Sequence, residues 1–358
     1  MGKSDAMAVK WGVIGAGGIA ARRTIPEFVK MATDAELVSV MDIDEERAKA
    51  VAEEFGVPHY CVTEEELLSQ NIDAVYIATP PNVHCRQMVR SAEAGKHILC
   101  EKPMAVSLAE ADEMEAAVNK AGVKFMLGFC MRNNVYNKKA RELAQSGALG
   151  QMVMGRAQLT CWYPPIRGAW RQDVSISGGG SLLDMGTHCL DILEWIMGTK
   201  IVEVTGFRNL LTHAYPTRIE DTSTIVVRFA NGAHGIVDNY FNIPDAAAQN
   251  SLELYGTKGC IIGQGTIGQD PTGGMFSIIE PQEAGYDASQ VRDVQVKRED
   301  YHLEGVGLYG QMINAFSVCI VNDTEPPVTI QDGRHSVEVV EAIYKAVREK
   351  RVVEVGRE

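Results

Sequence analysis

The chain has 358 residues, more than one typical domain, with 46% hydrophobic and 23% charged residues, the balance of a soluble globular protein with two domains. Its formal net charge is -13 and no block of Lys or Arg stands out, which argues against nucleic acid or an anionic membrane as the main partner. No apolar run nears the length of a spanning helix, the first residues carry no hydrophobic signal core, and the eight cysteines form no Cys-x-x-Cys pair, so a cytoplasmic protein with reduced thiols is expected.

Residues 9–14 read as a buried strand that ends in Gly15-Ala16-Gly17-Gly18-Ile19-Ala20; a helical pattern interrupted by Pro26 then runs through Met31. A second strand, 37–41, ends at Asp42. Strand, glycine turn, helix and strand within about thirty residues form the dinucleotide-binding unit. The glycines permit a tight turn and bring backbone N–H groups to a pyrophosphate at the helix N-terminus. Asp42 stands where a carboxylate binds both ribose hydroxyls, and Ile43-Asp44 follow it. Two acids there should repel a 2′-phosphate, so NAD is favoured over NADP.

Helices are expected at 45–55, 64–68, 83–94 and 108–121, and strands at 74–78, 97–100 and 124–129. This alternation implies a parallel sheet covered on both faces, with ligands gathered at the strands' carboxyl ends. Thr79-Pro80-Pro81-Asn82 and Glu101-Lys102-Pro103 lie at two such ends. Pro103 restricts Lys102 to extended geometry. A lysine beside a cationic nicotinamide can stabilise a substrate alkoxide, or else bind cofactor oxygens only.

After residue 130 the pattern changes. A helix at 134–146 precedes long alternating strands at 152–162, 201–208, 222–229, 233–241, 251–255 and 260–262, with turns such as Asn231-Gly232. A mostly antiparallel sheet is expected, closed by helices at 303–321 and 333–350. The fold class is therefore α/β, with a Rossmann domain over 7–130 and an α+β domain with a large open sheet over 131–358.

The segment 178–195 opens with Gly178-Gly179-Gly180, read as a mobile, closely approachable backbone, and continues as a helix. Asp184, His188 and Asp191 are spaced i, i+4 and i+7, one polar stripe, while Leu183, Leu190, Leu193 and Met197 suit a core face. A carboxylate one turn from an imidazole can fix its tautomer for proton transfer. The same spacing suits a metal, or simply a helix with a hydrogen-bonded polar face. The stretch 162–171 carries Trp162, Trp170 and Arg171, groups that suit sugar faces and hydroxyls, or a structural crossover. Arg132 and Asn133, after the last Rossmann strand, are expected on the substrate side. Thr212–Arg218 is a weaker substrate loop.

Together, Gly-Ala-Gly-Gly-Ile-Ala at 15–20, Ala-Thr-Pro-Pro-Asn-Val-His at 78–84, Glu-Lys-Pro at 101–103 and Gly-Gly-Gly-Ser-Leu-Leu-Asp-Met-Gly-Thr-His-Cys-Leu-Asp at 178–191 resemble the glucose-fructose oxidoreductase/inositol dehydrogenase/MocA family. The resemblance implies dimers or tetramers built on the C-terminal sheet. It also implies a catalytic lysine, aspartate and histidine, carried onto Lys102, Asp184 and His188. Thr79, Pro80, Asn82, His84 and Glu101 fall where the family lines its cofactor, beside Gly15, Ala16, Gly17, Gly18, Ile19 and Asp42. The expected activity is oxidation of a ring hydroxyl of a sugar, inositol-like polyol or glycoside, with C3 one candidate position. His188 takes the hydroxyl proton and Lys102 steadies the oxyanion; which of them is the formal base stays open. This mechanism needs no metal. A lyase or glycosidase working by transient oxidation would present much the same residues, and an NAD-binding sensor is a third class.

Overall fold

Short apolar strands are what the first third of the chain supplies, and a parallel sheet buries them on both faces. In the computed structural model, which describes residues 8–280 and 297–356, these are Val9–Ile14 (β1), Ala35–Met41 (β2), His59–Cys61 (β3), Ala74–Ile77 (β4), His97–Cys100 (β5) and Phe125–Leu127 (β6). All neighbours pair in parallel, in the order β3-β2-β1-β4-β5-β6. The reversal of direction beside β1 is the switch point of a doubly wound sheet. Helices Ile25–Met31 (α1), Glu45–Phe55 (α2), Glu64–Leu68 (α3), His84–Glu93 (α4) and Leu108–Ala121 (α5) connect the strands. Asp44, Thr63 and Ser107 each accept a backbone N–H at the start of α2, α3 and α5, which satisfies donors the helix leaves orphaned. Pro26 does not break its helix: it stands where the wide π turn Ala20–Thr24 gives way to the α winding of α1.

Later strands alternate buried and exposed positions, as Thr222–Phe229 does, the pattern of a sheet with one covered face. Val135–Gln145 (α6) precedes Met152–Thr160 (β7); Val174–Ser177 (α7) and Thr187–Met197 (α8) come next. Ile201–Asn209 (β8), Thr222–Phe229 (β9), His234–Tyr240 (β10), Leu252–Gly256 (β11) and Gly259–Gln264 (β12) follow. Gly274–Ile279 (β13) and Lys297–Tyr301 (β14) extend the sheet where the sequence suggested no element. The last strand is edged with charge, Lys-Arg-Glu-Asp, a common defence of an exposed edge. Leu308–Val321 (α9), Ile330–Glu349 (α10) and Val353–Glu354 (β15) end the chain. The nine-stranded order is β14-β13-β12-β11-β7-β10-β9-β8-β15. Among the described strands of this sheet only β7 and β10 pair in parallel; the other neighbours are antiparallel. Helix α8 lies close on this sheet because Gly155 of β7 has no side chain where Leu193 and Met197 press.

The chain divides into two compact units. The first holds the described residues to Cys130, with Asp173–Gly178 and Gly307–Glu338; the second holds the described parts of Met131–Gln172, Gly179–Val306 and Val339–Glu358. Helix α9 returns to the first unit for identifiable reasons. The Trp11 indole N–H, in a fully buried ring, donates to Ser317 Oγ at 3.1 Å, and the Glu27 carboxylate accepts the N–H groups of Tyr309 and Gly310 at 2.8 and 2.9 Å, capping the helix.

Candidate functional site

The first unit gathers its polar groups where β1, β2, β4 and β5 end. Gly15 adopts φ +94° and Gly18 φ +45°, left-handed values that an L side chain resists. A Cβ on Gly15 would lie 2.9 Å from Thr79 Cγ2, so glycine lets this turn rest on the loop after β4. A Cβ on Gly18 would meet nothing within 4 Å; the backbone there is open to an approaching group. Asp42 is buried, at 6% exposure. Its Oδ2 accepts the Ala16 N–H at 3.1 Å and its Oδ1 accepts the Asp44 N–H at 3.0 Å. Arg47, unremarked in the sequence, reaches back to Asp42 Oδ1 at 3.1 Å and Asp44 Oδ2 at 3.1 Å. An open glycine turn with backbone donors, next to a fixed carboxylate at the end of β2, fits a nicotinamide dinucleotide.

His84 plays a different part from the one its position suggests. It is 1% exposed, and both ring nitrogens face backbone carbonyls: Nε2 that of Thr79 at 2.9 Å, Nδ1 those of Pro103 at 3.0 Å and Met104 at 3.3 Å. Burial drives its pKa down, and the Lys102 charge adds to that, against the pull of the three carbonyls. His84 is thus a strut that ties the Thr79-Pro80 loop to the loop of Lys102. Glu101 is similarly drawn inward: the Tyr76 hydroxyl donates to it at 2.6 Å and lies 2.9 Å from Thr24 Oγ1. Burial, then the Glu101 charge, raises the Tyr76 pKa well above normal. Asn82 is exposed, and Thr79, Pro80 and Lys102 are half-buried.

Of the triple glycine, Gly178 ends α7 in the first unit with φ +77°, and Gly179 and Gly180, in the second, are closely packed rather than mobile. A Cβ on Gly179 would overlap the Tyr344 hydroxyl, and one on Gly180 the backbone carbonyl of Glu220. The side chain of Glu220, 2% exposed, accepts the N–H groups of Gly180 at 3.0 Å and Leu182 at 3.2 Å and the Tyr344 hydroxyl at 3.0 Å. Arg208 completes the cluster at 3.0 Å. Burial and the Glu220 charge push the Tyr344 pKa well up. Neither Glu220 nor Tyr344 lies near the glycines in sequence, so no local signal announced them.

The helix expected after the glycines is two pieces. Leu182–Gly186 is a π turn, and α8 starts at Thr187. Such wide turns recur at functional sites. Here it carries Asp184 and alters that residue's angle to α8, so the stripe is not one α-helical face. Asp184 Oδ1 meets Arg171 Nε at 3.4 Å. Asp191 accepts Arg132 Nε at 2.9 Å and its NH2 at 2.5 Å, both side chains nearly buried at 6% and 11%. The two carboxylates are therefore held by different arginines, and Arg132, expected at the substrate, secures α8 through Asp191. His188 is 5% exposed in the first turn of α8. The core face is as the pattern indicated: Leu183, Leu190, Leu193 and Met197 are all buried.

Around Asp184 the structure assembles the loops that the sequence only suggested. The Arg171 guanidinium lies 4.3 Å from the Trp170 ring centre. Tyr163 hydrogen-bonds Arg171; burial raises its pKa, with Arg171 opposing and Asp184 assisting. Trp162 is 44% exposed and sets its ring against His213, centres 4.9 Å apart. His213 Nε2 is 2.9 Å from the Phe241 carbonyl, and its loop hangs on Asp221, which accepts the N–H groups of Leu211, Thr212 and His213. Gln172, 1% exposed, ties the other loop together through Pro164 and Ile166, and its carbonyl accepts the Thr217 hydroxyl at 2.8 Å. The segment 212–218 is therefore a structural partner of 162–172.

Known proteins resemble the chain across both units. The model of an oxidoreductase family with an NAD-binding Rossmann fold, GFO/IDH/MocA, matches residues 9–129, and the GFO/IDH/MocA C-terminal domain matches 137–262. A 1,5-anhydro-D-fructose reductase of Ensifer adhaerens is 29% identical over 97% of this chain and 98% of its own. A myo-inositol 2-dehydrogenase of Thermotoga maritima is 30% identical over 96% and 97%. Among solved structures, an aldose-aldose oxidoreductase from Caulobacter crescentus complexed with glycerol superposes with a TM-score of 0.84 at 26% identity, covering 97% of this chain and all of that one. With a dinucleotide cradle in the first unit, the glycine-anchored Asp184 and His188 in the second, and these matches along nearly its whole length, the chain belongs to the GFO/IDH/MocA family of NAD(P)-dependent sugar and polyol oxidoreductases.

Proposed function

We propose that the protein oxidises a ring hydroxyl of a free sugar, a polyol or a glycoside, with NAD as the preferred cofactor. The observation that carries the reading is the anchoring of Asp184 and His188: a buried carboxylate, Glu220, holds the turn that presents them. NAD rests on Asp42, whose carboxylate is fixed by two backbone N–H groups at the end of β2 and suits ribose hydroxyls. Gly15, Ala16, Gly17, Gly18 and Ile19 would hold the pyrophosphate, and Thr79, Pro80, Asn82 and Glu101 would line the remaining length. When bound, the dinucleotide supplies a two-electron acceptor for a hydride.

The chain's own residues handle the proton and the oxyanion. His188 accepts the substrate hydroxyl proton as the C–H bond of the same carbon gives up its electron pair. The Lys102 ammonium steadies the negative charge that develops on oxygen. Arg171 holds Asp184 by charge and, with Tyr163 and Trp170, offers donors and apolar faces suited to a sugar.

A screen of sugars, polyols and glycosides with NAD, followed at 340 nm, tests the reading; reduction with at least one substrate is expected. His188→Ala should lower kcat by about 100-fold or more while the Kd for NADH stays within about twofold. Undiminished turnover in that variant would remove His188 from the mechanism. Product formed without net reduction of added NAD would move the protein to the redox-assisted lyases.

A further inference from the structure

The hydroxyl proton of Thr79 has its direction set from inside the protein. The Thr79 hydroxyl donates to Gln87 Oε1 at 2.5 Å, and Gln87 Nε2 donates to Glu64 Oε1 at 2.9 Å. Glu64, at the start of α3, and Gln87, on α4, are 6% and 4% exposed. Behind them stand two arginines: Arg86 at 2.8 Å from Glu64 Oε1 and Arg90 at 3.2 Å from Oε2.

Donor and acceptor roles then follow one from another. Burial pushes the Glu64 pKa up, but hydrogen bonds from Gln87 and Arg86 and the charges of Arg86 and Arg90 bring it below the usual value. An ionised carboxylate only accepts. The Gln87 NH2 must therefore face Glu64, because the reverse orientation of the amide would set two acceptor oxygens 2.9 Å apart. That leaves Gln87 Oε1 towards Thr79, and a carbonyl oxygen only accepts. The Thr79 hydroxyl must donate inward.

The rest of Thr79 is equally fixed. Its carbonyl lies 2.9 Å from His84 Nε2, and its methyl stands 2.9 Å from where a Gly15 Cβ would be. No described residue donates to its Oγ1. What Thr79 has left, beside the open glycine turn, is the lone pairs of its hydroxyl.

We propose that Glu64, acting through Gln87, is a positioning residue that makes Thr79 a fixed hydrogen-bond acceptor in the dinucleotide site. Thr79 then receives an O–H or N–H of the cofactor, from a ribose or from the carboxamide, and turns away phosphate oxygens. This rests on the dinucleotide reading above and deepens it. Glu64 acts from two hydrogen bonds away and needs no contact with the cofactor.

The Kd for NADH, read by nicotinamide fluorescence without turnover in the full-length protein, tests the proposal. Thr79→Val keeps the shape and loses the hydroxyl, and should weaken NADH by about tenfold. In Glu64→Gln the arginines claim the one amide oxygen, so the new NH2 faces Gln87 and reverses its amide. Thr79 then accepts from within and presents its proton, and NADH should weaken by about fivefold. Glu64→Gln with Thr79→Val should bind no worse than Thr79→Val alone, a coupling between side chains that do not touch. The exchanged pair, Glu64→Gln with Gln87→Glu, puts an acceptor-only group back behind Thr79 and should return the Kd to within about twofold of the parent. Rescue of one substitution by a second is something a loss of packing would not give. Gln87→Met cuts the line but spares the ion pairs; it should weaken NADH by about threefold, and it carries the test if Glu64→Gln does not fold. Displacement of NADH by ADP-ribose separates the two donors. Thr79→Val weakens ADP-ribose too when the donor is a ribose hydroxyl, and leaves it unchanged when the donor is the carboxamide. NADH affinity unaffected by Thr79→Val or by Gln87→Met, or an exchanged pair no better than Glu64→Gln, would overturn the proposal while leaving the dinucleotide site intact. Failure of the unaltered protein to bind NADH would overturn the proposal and the dinucleotide reading together.

Discussion

The two glycine clusters use the same residue for opposite ends. At Gly15–Gly18 the chain needs left-handed backbone, and the space beside Gly18 is open. At Gly179 and Gly180 the space is already filled, by the Tyr344 hydroxyl and the Glu220 backbone, while Gly178 before them is itself left-handed, at φ +77°, and ends α7. The first cluster keeps room for a ligand; the second gives up its side chains so that the protein can grip the turn that carries Asp184. Glycine-richness alone does not separate a cradle from a clamp. What separates them is what an added methyl group would strike.

Substituting each cluster should break that symmetry. Gly180→Ala has the largest expected effect, because its Cβ strikes backbone rather than a movable side chain: about 3 kcal/mol of destabilisation, read by chemical denaturation. Stability within 0.5 kcal/mol of the parent, about the scatter of a neutral surface change, would show that the turn yields and is no clamp. Glu220→Gln comes next. It removes a buried charge that partners Arg208 while keeping one acceptor oxygen, so a loss of about 2 kcal/mol is expected, discounted because Arg208 is 36% exposed. Turnover should fall while NADH binding is retained; a loss of NADH affinity instead would show that Glu220 acts on the cradle. The smallest change is Gly18→Ala. Nothing is struck, and the strain of a left-handed alanine is about 1 kcal/mol, so the fold should persist. NADH binding should weaken, and unaltered affinity would argue that position 18 faces no ligand.

Much of the fold could be read from the chain because its signals are local. The strand, glycine turn and Asp42 of the first unit follow from residues within one supersecondary motif, and the alternation of Thr222–Phe229 shows one covered face of the second sheet. The hidden features are those made across sequence distance or without a side-chain pattern. Glu220 grips Gly180 forty residues away, and Tyr344 reaches Glu220 across 124. Arg47 lies five residues past Asp42, with the start of a helix between them. His84 shows a histidine at the right address but conceals that both nitrogens lie against backbone carbonyls. The π turn leaves the apolar positions buried and so does not disturb the hydrophobic pattern that marks a helix.

That π turn has a consequence for how the site can change over generations. The heading of Asp184 depends on the number of residues packed into Leu182–Gly186 as well as on its contact with Arg171. An α-helix advances about 100° per residue, so losing a single residue there would restore ordinary winding and turn the carboxylate by a large part of a circle. Single-base substitutions cannot make that adjustment; only a whole-codon deletion or insertion can. A change of chain length within this turn is therefore the kind of change that would most redirect the acid.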